Sequence, residues 1–327
     1  MNFVGTQVVR LSDVDELHGR LTVGSRVACP LRPGPFSMET TDLGLGDVTI
    51  RIGQSTPVLV QGASPDGVLL MVLPLRHDGA FLFNGAPARP HSVATYVDGA
   101  GFDSASHADF AWAMVALRTP TLDRLDLARS SPVHRPGAAA MLVCDPAAWS
   151  GAARLMRDAA EVAATDPEVF EVEEARRSLR ASVLEATHEL LVGPLDGEPT
   201  RILWSSAARR RLILAADEIL RAASSHVSTA VDLAAALGVP ADRLRRAIRE
   251  TFGMGTQRYI LLRRLTMLRT AIRRALEEGI PPRSIALAHG FWDLDRLARD
   301  FQQTFGEQLD DLLGAEVARN GEERRRA

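Results

Sequence analysis

Between Val23 and about Pro120 the apolar positions fall in short or alternating runs, at residues 48–52, 68–73, 81–83, 93–97 and 110–117. That texture predicts the strands of an antiparallel β domain. The runs are separated by residues that tolerate positive φ or hydrogen-bond their own backbone, at 44–47, 64–67, 77–79, 84–85 and 98–101. A small barrel or sandwich is the expected architecture, since closing a sheet removes its edges and can leave an interior wide enough for one small ligand. Past Cys144 the period changes. Asp145-Pro146 predicts a helix running to about Ala164, and Asp166-Pro167 a second running to about Val192. Trp149, Leu155, Met156, Val172, Leu179, Val183, Leu184, Leu190 and Leu191 are spaced for packing on the β domain or on a second copy of the chain. Residues 193–200, with four Gly or Pro positions and two acids, read as a linker.

Everything after Ser206 reads as helical and contains a repeat. Residues 242–253, Asp-Arg-Leu-Arg-Arg-Ala-Ile-Arg-Glu-Thr-Phe-Gly, and 295–306, Asp-Arg-Leu-Ala-Arg-Asp-Phe-Gln-Gln-Thr-Phe-Gly, agree at seven of twelve positions at an offset of 53. A short apolar helix ending in glycine precedes each, at 233–238 and 285–290, with an offset of 52, so the second turn is one residue longer. A short helix, a glycine able to take positive φ, a turn and a longer amphipathic helix form the helix-turn-helix layout. Ala234 and Ala286 allow close helix approach, and Gly238 and Gly290 relieve the bend. Leu244, Ile248 and Phe252, or Leu297, Phe301 and Phe305, recur at steps of four and should face inward. The opposite face then carries Asp242, Arg245, Arg246 and Arg249 in the first unit, and Asp295, Arg296, Arg299 and Gln303 in the second. Arginine there can bond guanine or a phosphate, and aspartate can accept from cytosine. One such charged face would be an ordinary solvated surface; its repetition with matched glycines and core positions favours DNA reading. Between the units, residues 256–277 predict one long helix, with Tyr259, Leu262, Leu265, Leu268, Ile272 and Leu276 available for packing. About twenty residues rise roughly 30 Å, close to the roughly 34 Å of one DNA turn, so the two readers can enter successive major grooves. Pro281-Pro282 ends that spacer and opens the next helix.

Charge supports this division only weakly. Residues 1–206 hold 17 Arg against 25 acids, net −8, and residues 207–327 hold 21 against 16, net +5, within a total of −3. A basic segment suits a polyanion partner, but a helical surface with extra arginine explains as much. The hydrophobic share of 46% and charged share of 24% are those of an ordinary globular protein. The longest apolar run, 68–75, is too short to cross a bilayer, and residues 1–17 lack a basic stretch followed by an apolar core, so a cytoplasmic location is expected. Cys29 and Cys144 have no paired spacing, which argues against a metal cluster or disulfide framework. His77, His91 and His107 lack ligand-like spacing and read as surface or hydrogen-bonded histidines. No nucleophile elbow, phosphate loop or paired carboxylate set stands out, so no catalytic residue, metal or cofactor is expected.

Over roughly residues 206–318 the chain resembles the AraC/XylS family of bacterial regulators. The resemblance rests on the repeated unit, on Phe252-Gly253-Met254-Gly255 leading into Arg258-Tyr259-Ile260, and on residues 285–291 followed by the second reading helix and Phe305-Gly306-Glu307. The proline common after each Phe-Gly pair in that family is Thr256 and Leu309 here, which leaves the caps of the following helices open. The resemblance implies that Asp242, Arg245 and Arg246 read bases from the first unit, and Asp295, Arg296 and Arg299 from the second. Trp292, just after the second turn, is unusually large; core support and contact with DNA are both open to it. The implied fold is α+β. It comprises a cupin-like β barrel as effector domain (1–144), a helical dimerisation segment (145–192), a linker (193–205), an all-α DNA-binding domain with two helix-turn-helix motifs (206–318) and a disordered tail (319–327). The implied partner is double-stranded DNA at a promoter or operator, with RNA polymerase and a small-molecule effector as further candidates. A homodimer acting as an activator is the expected form. A competing reading is a cupin-like enzyme or small-molecule sensor whose helical tail makes only protein contacts.

Overall fold

A computed structural model describes residues 4–17, 24–76, 81–125, 136–192, 207–222 and 227–309 of the chain. The linker at 193–205, the tail at 319–327 and His77 lie outside the described residues. The chain forms two compact units: Met1–Ala28 with Ser37–Ser205, and Cys29–Phe36 with Ser206–Ala327.

The first unit is built on strands β1 (Val4–Leu11), β2 (Gly24–Pro30), β3 (Met38–Leu45), β4 (Val48–Ser55), β5 (Val58–Ala63), β6 (Val68–Arg76), β7 (Phe81–Phe83), β8 (Ala86–Pro87), β9 (Ser92–Val97), β10 (Gly101–Ser106), β11 (Phe110–Arg118) and β12 (Ala139–Val143). They make a seven-stranded sheet in the order β1-β3-β4-β11-β6-β9-β12 and a five-stranded sheet in the order β2-β5-β10-β7-β8. Of the barrel or sandwich expected from the strand pattern, the structure forms a pair of sheets, and the cupin-like barrel implied by the resemblance is absent, with no closed ring of strands among the described residues. The reason lies in the central strands, which are buried on both faces. Successive side chains of a strand alternate between faces. Leu69, Met71 and Val115 enter a core shared with the helices, while Leu70, Met114 and Trp112 enter a second core with Phe81, Phe83 and Phe102 of the other sheet.

A single helical turn, α1 (Thr119–Leu122), follows β11, and two long helices, α2 (Pro146–Thr165) and α3 (Glu173–Val192), cover the large sheet. Asp145 caps α2 as expected, accepting from the Ala147 and Ala148 amides at 2.9 Å. The second expected helix is interrupted. Pro167–Glu171 is a 3-10 turn and Val172 is extended (φ −78, ψ 120) before α3 begins. Phe170, 5% exposed, anchors this turn in the core. The Arg176 guanidinium donates to the Phe170 and Glu171 carbonyls at 2.6 and 2.7 Å, supplying donors that a continuous helix would have provided. Met156, Val183, Leu190 and Leu191 pack on the sheet. Arg180 of α3 donates twice to Asp47 in the β3–β4 turn, at 2.6 and 2.7 Å, and Thr121 donates to the same carboxylate.

The second unit is helical: α4 (Ala207–Ala222), α5 (Ala230–Ala236), α6 (Ala241–Phe252), α7 (Thr256–Glu277), α8 (Pro282–Ala288) and α9 (Leu294–Phe305). Tyr259, Leu265, Leu268 and Ile272 of α7 are fully buried and form its centre. No described helix is long and apolar enough to cross a membrane.

Candidate nucleic-acid interface

Two helix pairs, each a short helix, a turn and a longer helix, α5–α6 and α8–α9, stand at either end of α7. Thr229 and Asp232 form a reciprocal capping box that starts α5. The first turn occupies 237–240 and the second 289–293, so the extra residue inferred from the two offsets is present. Gly238 and Gly290 take φ of 64° and 77°, the left-handed region that a side chain would strain. Gly253 and Gly306 end the two longer helices in the same conformation, at 68° and 73°. Ala234 and Ala286 on the first helices are buried, as are Leu244, Ile248 and Phe252 on the second helix of one copy and Leu297, Phe301 and Phe305 on that of the other.

That burial fixes the outer face. Asp242, Arg245, Arg246 and Arg249 on α6 are exposed, and so are Asp295, Arg296, Arg299 and Gln303 on α9. They differ in how far they are engaged. Arg245 pairs with Asp242 one turn earlier, and Arg296 lies 3.7 Å from Asp300 as well as following the Asp293 cap, which accepts its amide at 2.9 Å. Among the described residues, Arg246, Arg249 and Arg299 have no ion-pair partner. Trp292 is 77% exposed, so its indole does not support the turn from within.

Several arginines of α7, by contrast, are structural, which the sequence did not show. Arg263 is 3% exposed and donates to Asp217 of α4 at 2.7 Å, where the Tyr259 hydroxyl also donates at 2.6 Å. Burial works against the Arg263 cation, but Asp217 beside it more than offsets this, and the net shift is upward. Arg264 donates to the His289 carbonyl at 2.9 Å, in the second turn, and lies 4.5 Å from the centre of the Phe291 ring; burial lowers its pKa. Arg269 is 2% exposed, pairs with Glu307 just after α9 and lies 4.9 Å from the Phe305 ring centre. The basic surplus of the C-terminal segment thus includes cations spent inside it. The excursion Cys29–Phe36 packs on the same helix. The Cys29 thiol accepts from Thr266 at 3.2 Å, and the Leu31 carbonyl accepts from Arg258 at 2.6 Å. A Cβ on Gly306 would lie 2.9 Å from the Pro35 nitrogen.

In the first unit His91 packs edge-on to Trp149 and His107 is exposed. No group of three or more His, Cys, Asp or Glu able to hold a metal occurs among the described residues.

Residues 233–313, which span both helix pairs, match the family described as a helix-turn-helix domain. No curated protein matches the chain. Solved structures similar to it include the AraC-like transcriptional activator CuxR, at 14% identity over 71% of this chain and 80% of that one, with a TM-score of 0.36. ToxT from Vibrio cholerae O395 is similar at 10% identity over 94% and 96%, with a TM-score of 0.29. Fatty-acid-bound ToxT from strain SCE256 is similar at 8% over 96% of each chain, also at 0.29. The chain thus carries a helix-turn-helix domain at residues 233–313, a type of domain that binds DNA.

Proposed function

We propose that α6 and α9 are the recognition helices of a bipartite DNA reader, entering successive major grooves with α7 as the connection between them. The reading rests on one observation: the same bent helix pair occurs twice, each copy with an arginine-bearing outer face, joined by a helix of 22 residues. At 1.5 Å per residue that helix is about 33 Å long, one turn of duplex DNA. In this reading Arg246 and Arg299 contact base edges, Arg249 a phosphate, and Arg245 and Arg296 exchange their intrahelical partners for DNA. Asp242 and Asp295 accept from cytosine or reject misplaced bases.

The protein acts by binding rather than catalysis. The sandwich of residues 1–144 senses a small molecule, 145–192 carries the homodimer contact, 193–205 links the halves, 206–318 binds DNA, and RNA polymerase is the partner in activation. The exposed Val162 and Val172 support a contact through α2 and the turn that follows it, which sedimentation of the purified chain tests. Genome-wide mapping of bound sites, followed by salt-titrated binding to the mapped operator, tests the central claim. Affinity should fall steeply as salt rises, with one released counterion for each neutralised phosphate. Absence of binding to any duplex, or affinity indifferent to salt, refutes it.

A further inference from the structure

In the ladder between β4 and β11, Arg51 stands opposite Met114, Gly53 opposite Trp112 and Ser55 opposite Phe110. Arg51, Ser55, Met114, Trp112 and Phe110, with Phe81 of the smaller sheet, line a cavity of about 110 Å³. Glycine at 53 lets the indole form one wall, because a Cβ there would sit 2.8 Å from the Trp112 ring. The lining is almost wholly apolar, which makes its polar atoms conspicuous. Arg51 is 3% exposed, and two of its guanidinium nitrogens donate to Asp42, at 2.6 and 2.5 Å. Its third, Nη1, is buried without a hydrogen-bond partner, and so is the Ser55 hydroxyl. A buried donor left unpaired is costly, and an acceptor brought by a ligand recovers that cost.

We propose that this cavity binds a small uncharged molecule with an apolar body about the size of one six-membered ring and a single carbonyl-type oxygen that accepts from Arg51. The volume limits the body to one small ring at most, since this cavity is somewhat smaller than the dry cavity of about 150 Å³ that takes benzene. The charge follows from Asp42. Arg51 is already neutralised by a bidentate carboxylate, so an anionic ligand would leave a buried site with one uncompensated negative charge, and a cationic ligand would face the guanidinium. A hydrocarbon would fill the space but leave the Arg51 donor unpaired.

The inference rests on reading residues 1–144 as a sensing domain, and ligand binding is measured without DNA so that each can fail separately. Ligand-observed NMR titrations of the full chain would use three probes: cyclohexanone, methylenecyclohexane, which replaces the oxygen by a methylene group, and cyclohexanecarboxylate. Cyclohexanone should bind at least about tenfold more tightly than either other probe. The paired substitution Arg51→Met with Asp42→Leu removes the donor without stranding a charge. It should bring cyclohexanone and methylenecyclohexane within about twofold of each other. Val60→Phe, which fills the cavity and keeps the ion pair, should abolish binding of both. Equal affinity of the wild-type chain for ketone and alkene, carboxylate binding as tight as ketone binding, or no binding of any probe to the folded chain overturns the proposal. Unchanged cyclohexanone binding in Val60→Phe overturns the location.

Discussion

Arg246→Ala and Arg299→Ala, singly and together, probe whether both helix pairs engage one duplex. Both side chains are exposed on the outer faces of α6 and α9, and neither has an ion-pair partner among the described residues, so their loss costs the folded state little. An arginine that reads a base is worth about 1 to 3 kcal/mol, so each single variant should raise the Kd for the operator about 5- to 150-fold. Random duplex should lose less, because only a phosphate-like contribution disappears there. Two sites at opposite ends of a helix about 33 Å long should be independent, and the double variant should lose about 2 to 6 kcal/mol. Arg245→Ala should cost less than Arg246→Ala, because Arg245 must first release Asp242. Fluorescence anisotropy on the mapped operator and on a scrambled duplex, with a thermal melt of every variant, supplies the measurement. A double variant no weaker than the weaker single would show that one pair alone touches DNA. Equal losses on operator and scrambled DNA would reduce both residues to phosphate contacts.

Glu307→Gln removes the carboxylate that neutralises the buried Arg269 cation, and because Glu307 itself is one-third exposed the loss should be about 1 to 3 kcal/mol; a change under about 0.5 kcal/mol in chemical denaturation contradicts the pairing. The Arg180 guanidinium holds the Asp47 carboxyl well below the usual carboxylate range, so its stabilisation is present above the unfolded pKa near 4 and is lost as pH falls below it. Asp47→Asn should therefore cost about 1 to 2 kcal/mol at pH 7, with the gap from wild type closing below about pH 4; a gap that widens with acid reverses the assigned sign. Trp292→Ala should leave the melting temperature unchanged while weakening operator binding about 3- to 10-fold, since an exposed indole beside the reading helix contributes to contact and not to the core; a drop in stability with DNA affinity intact places the ring in the wrong role.

The helical third was legible because its constraints are local. A glycine with positive φ, a small residue under a helix crossing and apolar positions at steps of four are all written within a dozen residues, and writing them twice removed the ambiguity of a single amphipathic helix. The roles of the arginines were not legible, because burial depends on partners far away in the chain. Nothing near Arg263 marks it as the partner of Asp217, and nothing near Arg264 marks it as the holder of the second turn's carbonyls. The β region was legible as strands but not as two sheets, because runs such as 68–73 read alike whether they line a closed ring or divide their faces between two cores. The 3-10 turn at Pro167–Glu171 was hidden for a similar reason: Asp-Pro signals a helix start, while the break after it depends on Phe170 finding the core and on Arg176 reaching back. The departure of Cys29–Phe36 into the helical unit left no sign in its own residues.

By length α7 looks like a spacer, but by contact it is the core of its unit, and that difference bears on how operators must be built. Tyr259 and Arg263 fix it to α4 through Asp217, Arg264 fixes it to the turn between α8 and α9, and Arg269 fixes it to the segment that follows α9. A connection tied at so many points cannot lengthen or swivel freely, so the separation and phase of α6 and α9, the proposed reading helices, are set before DNA arrives. Rigid phasing makes the two half-sites a geometric requirement, since one helical turn spans about 10 to 10.5 base pairs. Inserting five base pairs between them turns the second groove to the opposite side of the duplex. Affinity should then fall to that of a single pair, and Arg299→Ala should have almost no further effect on the altered operator. Inserting ten base pairs restores the phase but moves the second groove about 34 Å further along the axis, beyond the reach of α9, so it should not rescue binding. Equal affinity for the native and five-base-pair operators would show that α7 does not hold the two readers in register.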